Sequence, residues 1–143
     1  MIQTIHSYWA YLVLIVLISA VLKSVTGYFS NKDYDANAFR LSLFTLIVSH
    51  IQLLIGLLLY FTSARFDLWN DLGVGEVIKN SNIRLYLVEH PSINILAVAL
   101  ITIGYSKHKK KLISEPKYRT IAVFYSGALV LILSRIPWNV WPY

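Results

Sequence analysis

Three histidines interrupt the long apolar stretches of this 143-residue chain, at His6, His50 and His90. Ionisable side chains at membrane depth are costly, and they therefore indicate a functional site. Neutral imidazole is an axial ligand of haem iron and also a ligand of copper, iron and zinc. The three histidines together predict a bound haem b or a metal ion, although none of their spacings forms a sharp ligand motif.

His90 has the most clearly predicted orientation of the three. It leads a stripe at helical spacing that continues through Asn94, Ala97, Ile101 and Gly104. Small and polar residues on one face of a helix are typical of helix–helix contacts in lipid. We therefore expect His90 to face the interior of a helical bundle and to be indispensable to any bound haem or metal.

A weak internal repeat favours His6 as the partner of His90. When the two histidines are aligned, Lys23 falls on Lys107, each lying 17 residues after its histidine. By helical rise, His6 lies roughly 6 Å and His90 roughly 9–10 Å below the outer surface, at similar depth. His50 lies roughly 15 Å deep and is the rival partner.

The second apolar stretch has a polar face that does not include His50. This face carries Ser42, Thr45, Ser49, Gln52, Gly56 and Tyr60. His50 lies about 100° round the helix from Ser49, among leucines and isoleucines. It is therefore turned either toward a second neighbouring helix or toward a bulky apolar ligand.

Each histidine also has a purely structural interpretation. His6 suits an interfacial position, His50 a hydrogen bond to a neighbouring helix, and His90 an ion pair with Glu89. His108 lies within a run of lysines and is expected to be solvated.

Arg135 is the remaining candidate for cofactor binding. It lies one turn before Trp138, at about the predicted level of His6 and His90. Its guanidinium either reaches up to the membrane surface or binds an anion inside the bundle. A haem propionate is one such anion, and without haem the carboxylate of Glu89 is the obvious substitute.

Four apolar stretches, at about 2–22, 41–61, 84–105 and 120–136, account for most of the chain. With 57% hydrophobic and 14% charged residues, they predict an all-α integral membrane four-helix bundle that forms a single transmembrane domain, 1–143. No basic segment precedes the first stretch and no cleavage site follows it, so we expect a retained helix. In the connection over 62–83, Trp69 and Leu72 suggest a short interfacial helix.

Basic residues define the expected orientation. The loop between the third and fourth stretches carries six lysines and arginines, and the first loop carries three. Basic loops stay in the cytoplasm, so both termini are predicted on the outer side of a cell inner membrane crossed several times. The net charge of +6 is thereby explained by topology, without nucleic acid.

The chain contains no cysteine. Disulfides, thiolate metal sites, iron–sulfur clusters and covalently attached c-type haem are therefore excluded. Any cofactor has to be held by histidine, carboxylate, methionine or backbone groups.

The chain resembles small bacterial four-helix membrane proteins that are labelled cytochrome b-like. The matching segments are SHIQLLIGLLLYF at Ser49–Phe61, LVEHP at Leu87–Pro91, ITIGYSK at Ile101–Lys107 and LSRIPW at Leu133–Trp138. The chain is also distantly similar to one half of the haem A synthase fold, a four-helix bundle with axial histidines on alternate helices. It differs from that fold in lacking a second half and in carrying histidines on three stretches.

The leading functional hypothesis is a b-type cytochrome-like protein that passes electrons between quinol and a periplasmic or membrane partner. A second hypothesis is a non-redox accessory or assembly subunit of a larger membrane complex. A third is a copper, iron or zinc site formed by His6, His50 and His90, with Glu89 as a further ligand. No residue pattern assigns a catalytic role.

Overall fold

The computed structural model describes residues 1–142, and this part of the chain is helical without any strand. Four long helices are α1 (Ile2–Phe29), α2 (Ala36–Thr62), α6 (His90–Lys109) and α7 (Ser114–Ser134). Between α2 and α6 lie α3 (Leu68–Asp71), α4 (Gly73–Lys79), α5 (Ser81–Arg84) and a π-helical turn (Leu85–Glu89). The predicted all-α class is confirmed.

Three helices are long and apolar enough to cross a membrane: α1, α2 and the continuous 29-residue helix Ser81–Lys109. They support the predicted membrane protein. The helices extend beyond the predicted stretches because polar residues at a membrane surface do not end a helix. Helix α1 runs on to Phe29 and ends just before Asn31, which adopts φ 50°. Left-handed φ values of this kind are tolerated by asparagine.

The four long helices form a closed ring in which each contacts two neighbours. Helix α1 packs against α2 and α7, and α6 packs against the same two helices. The main core lies between α1, α6 and α7 and comprises Leu17, Ala20, Ala97, Ile101, Ile121, Tyr125, Ala128 and Ile132. Ala97, Ile101 and Gly104 are buried, so the inward face predicted for the third stretch is confirmed.

The two ends of the ring differ in composition. At one end, the backbone N–H of Tyr34 donates to Ser114 Oγ at 2.8 Å, which joins the connection between α1 and α2 to the first residue of α7, just after Lys110 and Lys111. At the other end, Trp141 Nε1 donates to the Ser7 carbonyl at 3.3 Å, and the Trp141 ring packs 4.6 Å from that of Tyr11. We call these the basic end and the terminal end; the start of α1 and Trp141 lie at the second.

His108 is buried, and the prediction that it is solvated is wrong. Its exposed fraction is 0%, and its ring centre lies 5.0 Å from that of Tyr105 and 5.6 Å from that of Tyr34. The reason is helical phase: His108 lies one turn after buried Gly104, on the inward face of α6. The adjacent lysines point outward although they are neighbours in sequence.

Asp35 caps the N-terminus of α2, and its substitution tests how much this cap stabilises the helix. Its carboxylate accepts a hydrogen bond from the Ala38 N–H at 2.7 Å, and this bond, with help from Lys23, lowers the pKa of Asp35. We expect Asp35→Ala to lower the unfolding temperature in detergent by a few degrees, and Asp35→Asn to change it less because an oxygen acceptor remains.

The effect of Asp35→Ala should also depend on pH. A carboxylate with a lowered pKa stabilises the fold fully above its ordinary pKa, and this contribution disappears as the pH falls through the lowered value. The difference between wild type and Asp35→Ala should therefore shrink in acid. A difference that is constant from neutral to acid pH would contradict the capping role of the ionised carboxylate.

Candidate functional site

A cavity of about 750 Å³ lies inside the ring toward the terminal end. Its wall is mostly apolar, with Val13, Leu53 and Val98 among the lining residues. The polar residues of the lining include His6, Ser49, Gln52, Tyr60, His90 and Asn94. A largely apolar cavity of roughly 300–1,000 Å³ with a few convergent polar groups is typical of ligand and cofactor sites.

His6 and His90 are the most informative pair in this cavity. Their ring centres lie 6.2 Å apart, and their planes make an angle of 77°. A metal–imidazole bond is about 2.0–2.1 Å long and a ring centre lies roughly 1.2 Å behind its nitrogen, so two rings on opposite sides of one ion have centres roughly 6.4 Å apart. The observed separation therefore matches two imidazoles that share one metal centre.

A backbone carbonyl determines which nitrogen of His90 is available. His90 Nδ1 lies 2.8 Å from the carbonyl oxygen of Arg135. A carbonyl only accepts hydrogen bonds, so Nδ1 carries the proton and Nε2 of the neutral ring carries the free lone pair. Metal-binding histidines almost always donate their second N–H to such a partner. His90 is thus arranged as a ligand through Nε2.

The helix widens immediately before His90. The His90 N–H bonds to the carbonyl of Leu85, five residues earlier, which makes the turn π-helical. Pro91 has no N–H, so it cannot donate to the carbonyl of Leu87, which lies four residues before it. Tyr60 of α2 supplies the missing donor, with its hydroxyl 3.0 Å from the Leu87 oxygen. Such π-turns occur frequently at functional sites.

Replacing Tyr60 tests this arrangement. Leu87 is only 4% exposed, so Tyr60→Phe leaves its carbonyl buried without a donor, and we expect the free energy of unfolding to fall by about 1–3 kcal/mol. Denaturant titration in detergent measures the change. Tyr8→Phe is the matched control, because Tyr8 is 64% exposed. Equal stability of the two variants would contradict a structural role for the Tyr60 hydroxyl.

Helix α2 positions His6 from the opposite wall. Gln52 Nε2 donates to the His6 carbonyl at 2.9 Å, and a Cβ atom at Gly56 would lie 3.0 Å from His6 Cε1. Gly56 therefore gives the imidazole its space. Within residues 1–142, His6 Nδ1, Gln52 Oε1 and Ser49 Oγ are buried without a hydrogen-bond partner. Such atoms are unusual, because buried polar atoms are normally paired, and all three belong to residues of the cavity wall.

His50 does not join the other two histidines. Its Nδ1 lies 2.8 Å from the Leu46 carbonyl and its Nε2 lies 3.4 Å from Thr102 Oγ1 on α6, and the residue is not part of the cavity wall. Of its two predicted orientations, the one toward a neighbouring helix is observed. In the described residues, no group of three His, Cys, Asp or Glu side chains could hold a metal ion, so the three-histidine set is not assembled.

The guanidinium of Arg135 is engaged by a carboxylate. Arg135 Nε lies 3.1 Å from Glu89 Oε2, and Arg84 Nε lies 2.7 Å from the other oxygen of Glu89. Glu89 therefore pairs with both arginines; its pairing with Arg135 is the alternative to a propionate that the sequence suggests, and its pairing with Arg84 was not predicted. The contribution of Arg135 to the cavity is its backbone carbonyl, which holds His90; no sequence pattern reveals such a contact.

Several cavity residues were not predicted as site residues. Gln52 and Tyr60 could have been predicted from the polar face of α2, since both lie on it with Ser49 and Gly56. Arg65 and Trp141 also line the cavity but carry no comparable signal, because they lie in irregular segments outside the long helices.

In comparisons with known proteins, no family model, no curated protein and no solved structure matches the chain. The resemblance to cytochrome b-like proteins therefore stays a prediction. The chemistry of the cavity carries the functional proposal.

Proposed function

We propose that the chain is a small membrane protein of the b-type cytochrome kind, in which His6 and His90 hold one haem b for electron transfer. One observation carries the proposal: two imidazoles with ring centres 6.2 Å apart lie at the wall of an apolar cavity of about 750 Å³. The carbonyl that orients His90 adds support, since it leaves Nε2 free.

The residues present fit a haem. Val13, Leu53 and Val98 belong to an apolar wall suited to a macrocycle, and His6 and His90 would supply two nitrogen ligands to its iron. A haem held in this way supplies a one-electron couple whose potential depends on axial ligands, hydrogen bonding and burial. The protein's own contribution is to fix the imidazoles, through the Arg135 carbonyl oxygen and the space at Gly56.

We further propose that all four long helices cross the membrane. Helix α7 lies beside α6 along its length: Phe124 faces Gly104, Leu100 lies near Gly127, and Arg135 O meets His90. A helix that accompanies a spanning helix in this way lies at the same depth. Its outward-facing valines, Val123 and Val130, are 64% and 66% exposed, as expected for contact with lipid.

The basic end is proposed to face the cytoplasm and the terminal end the outside of the inner membrane, because loops rich in lysine and arginine stay inside. The cavity then lies in the outer half of the bilayer. This position suits electron exchange between a quinol in the membrane and a periplasmic or membrane partner. The partner is either a separate protein or a subunit of a larger complex.

Cysteine labelling tests the topology. The chain has no cysteine of its own, so single cysteines at Asp71 and at Lys110 can be labelled in intact cells without background. We expect an impermeant reagent to label Asp71→Cys only, because Lys110 is cytoplasmic in the proposed orientation. Labelling of both positions, or of Lys110→Cys alone, would contradict the proposed topology.

Haem content tests the function. The protein is purified in mild detergent from cells with ample haem, and its absorption spectrum is recorded in the oxidised and reduced states. We expect a Soret band, split bands on reduction, and a haem b to protein ratio that approaches one. A folded, monodisperse protein with metal but no porphyrin, or with neither, would overturn the proposal.

A further inference from the structure

Three arginines lie at the terminal end near the cavity, and one of them has no ionic partner. Arg84 and Arg135 share the carboxylate of Glu89. Arg65 takes part in none of the five ion pairs of residues 1–142. Arg65 also lines the cavity, whereas Arg84 and Arg135 do not.

The backbone and an aromatic ring hold Arg65 in place just after α2. Its N–H donates to Ser63 Oγ at 3.0 Å, and its guanidinium carbon lies 3.8 Å from the centre of the Tyr86 ring. Stacking on a ring occupies the flat face of a guanidinium and leaves its edge of N–H donors free. That edge is the part that binds a carboxylate through two parallel hydrogen bonds.

We propose that Arg65, and not Arg135, binds a haem propionate at the mouth of the cavity. The inference rests on the proposed function, which supplies the haem. The cavity is complementary to haem. Its apolar wall and two imidazoles would surround the macrocycle, and the unpaired guanidinium of Arg65 lies where the cavity wall meets the exposed connection after α2. Arg135 is unsuited because its guanidinium is already bound to Glu89.

Titration with two forms of the ligand tests the proposal. Haem and its dimethyl ester, which lacks both carboxylates, are added to the haem-free protein in detergent, and binding is followed by the Soret absorbance. The proteins compared are wild type, Arg65→Gln and Arg65→Lys. Arg119→Gln is the matched control, because Arg119 pairs with Glu115 near the start of α7, at the basic end.

We expect wild type to bind haem roughly tenfold more tightly than the ester, as befits one charge-assisted hydrogen-bonded contact at an exposed position. Arg65→Gln should lose that preference by weakening haem binding alone, and Arg65→Lys should retain part of it. Arg119→Gln should behave as wild type.

Each result decides between the two proposals. Equal binding of haem and ester by wild type, or an undiminished preference in Arg65→Gln, would overturn the role of Arg65 while leaving the haem proposal standing. Failure of wild type to bind either ligand would instead overturn the proposed function, and the role of Arg65 with it.

Discussion

Replacement of His90 by alanine is expected to abolish haem binding, whereas replacement of His50 should leave it complete. His90 lies on the cavity wall with Nε2 free, while both nitrogens of His50 face other protein groups. The haem to protein ratio of each purified variant measures the difference. His50→Ala is the matched control, since it removes the same ring from another long helix.

Replacement of His6 should have a related but distinct effect. We expect His6→Ala to retain little haem, with any remainder five-coordinate through His90 and therefore high-spin. Full haem retention in His90→Ala would disprove the site. Full retention in His6→Ala, with loss in His50→Ala, would identify His50 as the second ligand and contradict the pairing proposed here.

Gly104→Ala is expected to cause a large loss of stability away from the cavity. A Cβ atom at this position would overlap Cβ of Phe124 on α7. This atom is close to the α7 backbone and cannot rotate away, so the two helices have to separate. Overpacking of this kind typically costs about 1–3 kcal/mol, and separation of the helices also disturbs the His90–Arg135 contact.

Thermal unfolding in detergent measures the effect of Gly104→Ala, with Gly127→Ala as its matched control. At Gly127 an added Cβ would lie 3.5 Å from Leu100 Cδ1, which is an ordinary contact. We expect a clear decrease in unfolding temperature for the first variant and little change for the second. Equal temperatures would show that α6 and α7 are not packed this closely in the protein.

Much of the fold follows from local pattern. Long apolar stretches separated by polar residues predict helices, and the spacing of Ala97, Ile101 and Gly104 correctly predicts the buried face of α6. The first and last residues of the helices are harder to predict from the sequence, because they depend on local caps such as Asp35. The lysine neighbours of His108 predict exposure to solvent, whereas helical phase directs its side chain inward.

Sequence predicts those features of the site that depend on how deep a residue lies in the membrane and on which face of its helix it lies. Alignment of the two halves favoured the pairing of His6 with His90, and the structure brings these two rings together. Ligation itself remains a prediction. The role of the Arg135 carbonyl and the free guanidinium of Arg65 depend on how separate segments meet in space. No spacing within one helix contains that information.

The spin state of the ferric protein is the most direct test of a haem held between His6 and His90. The measurement is an electron paramagnetic resonance spectrum of purified, haem-loaded wild type in detergent. Two imidazole ligands produce a strong field at the iron, so the account predicts a low-spin ferric signal that gives way to a high-spin signal in His6→Ala. A high-spin signal in wild type would contradict the account, as would a low-spin signal that is unchanged in His6→Ala.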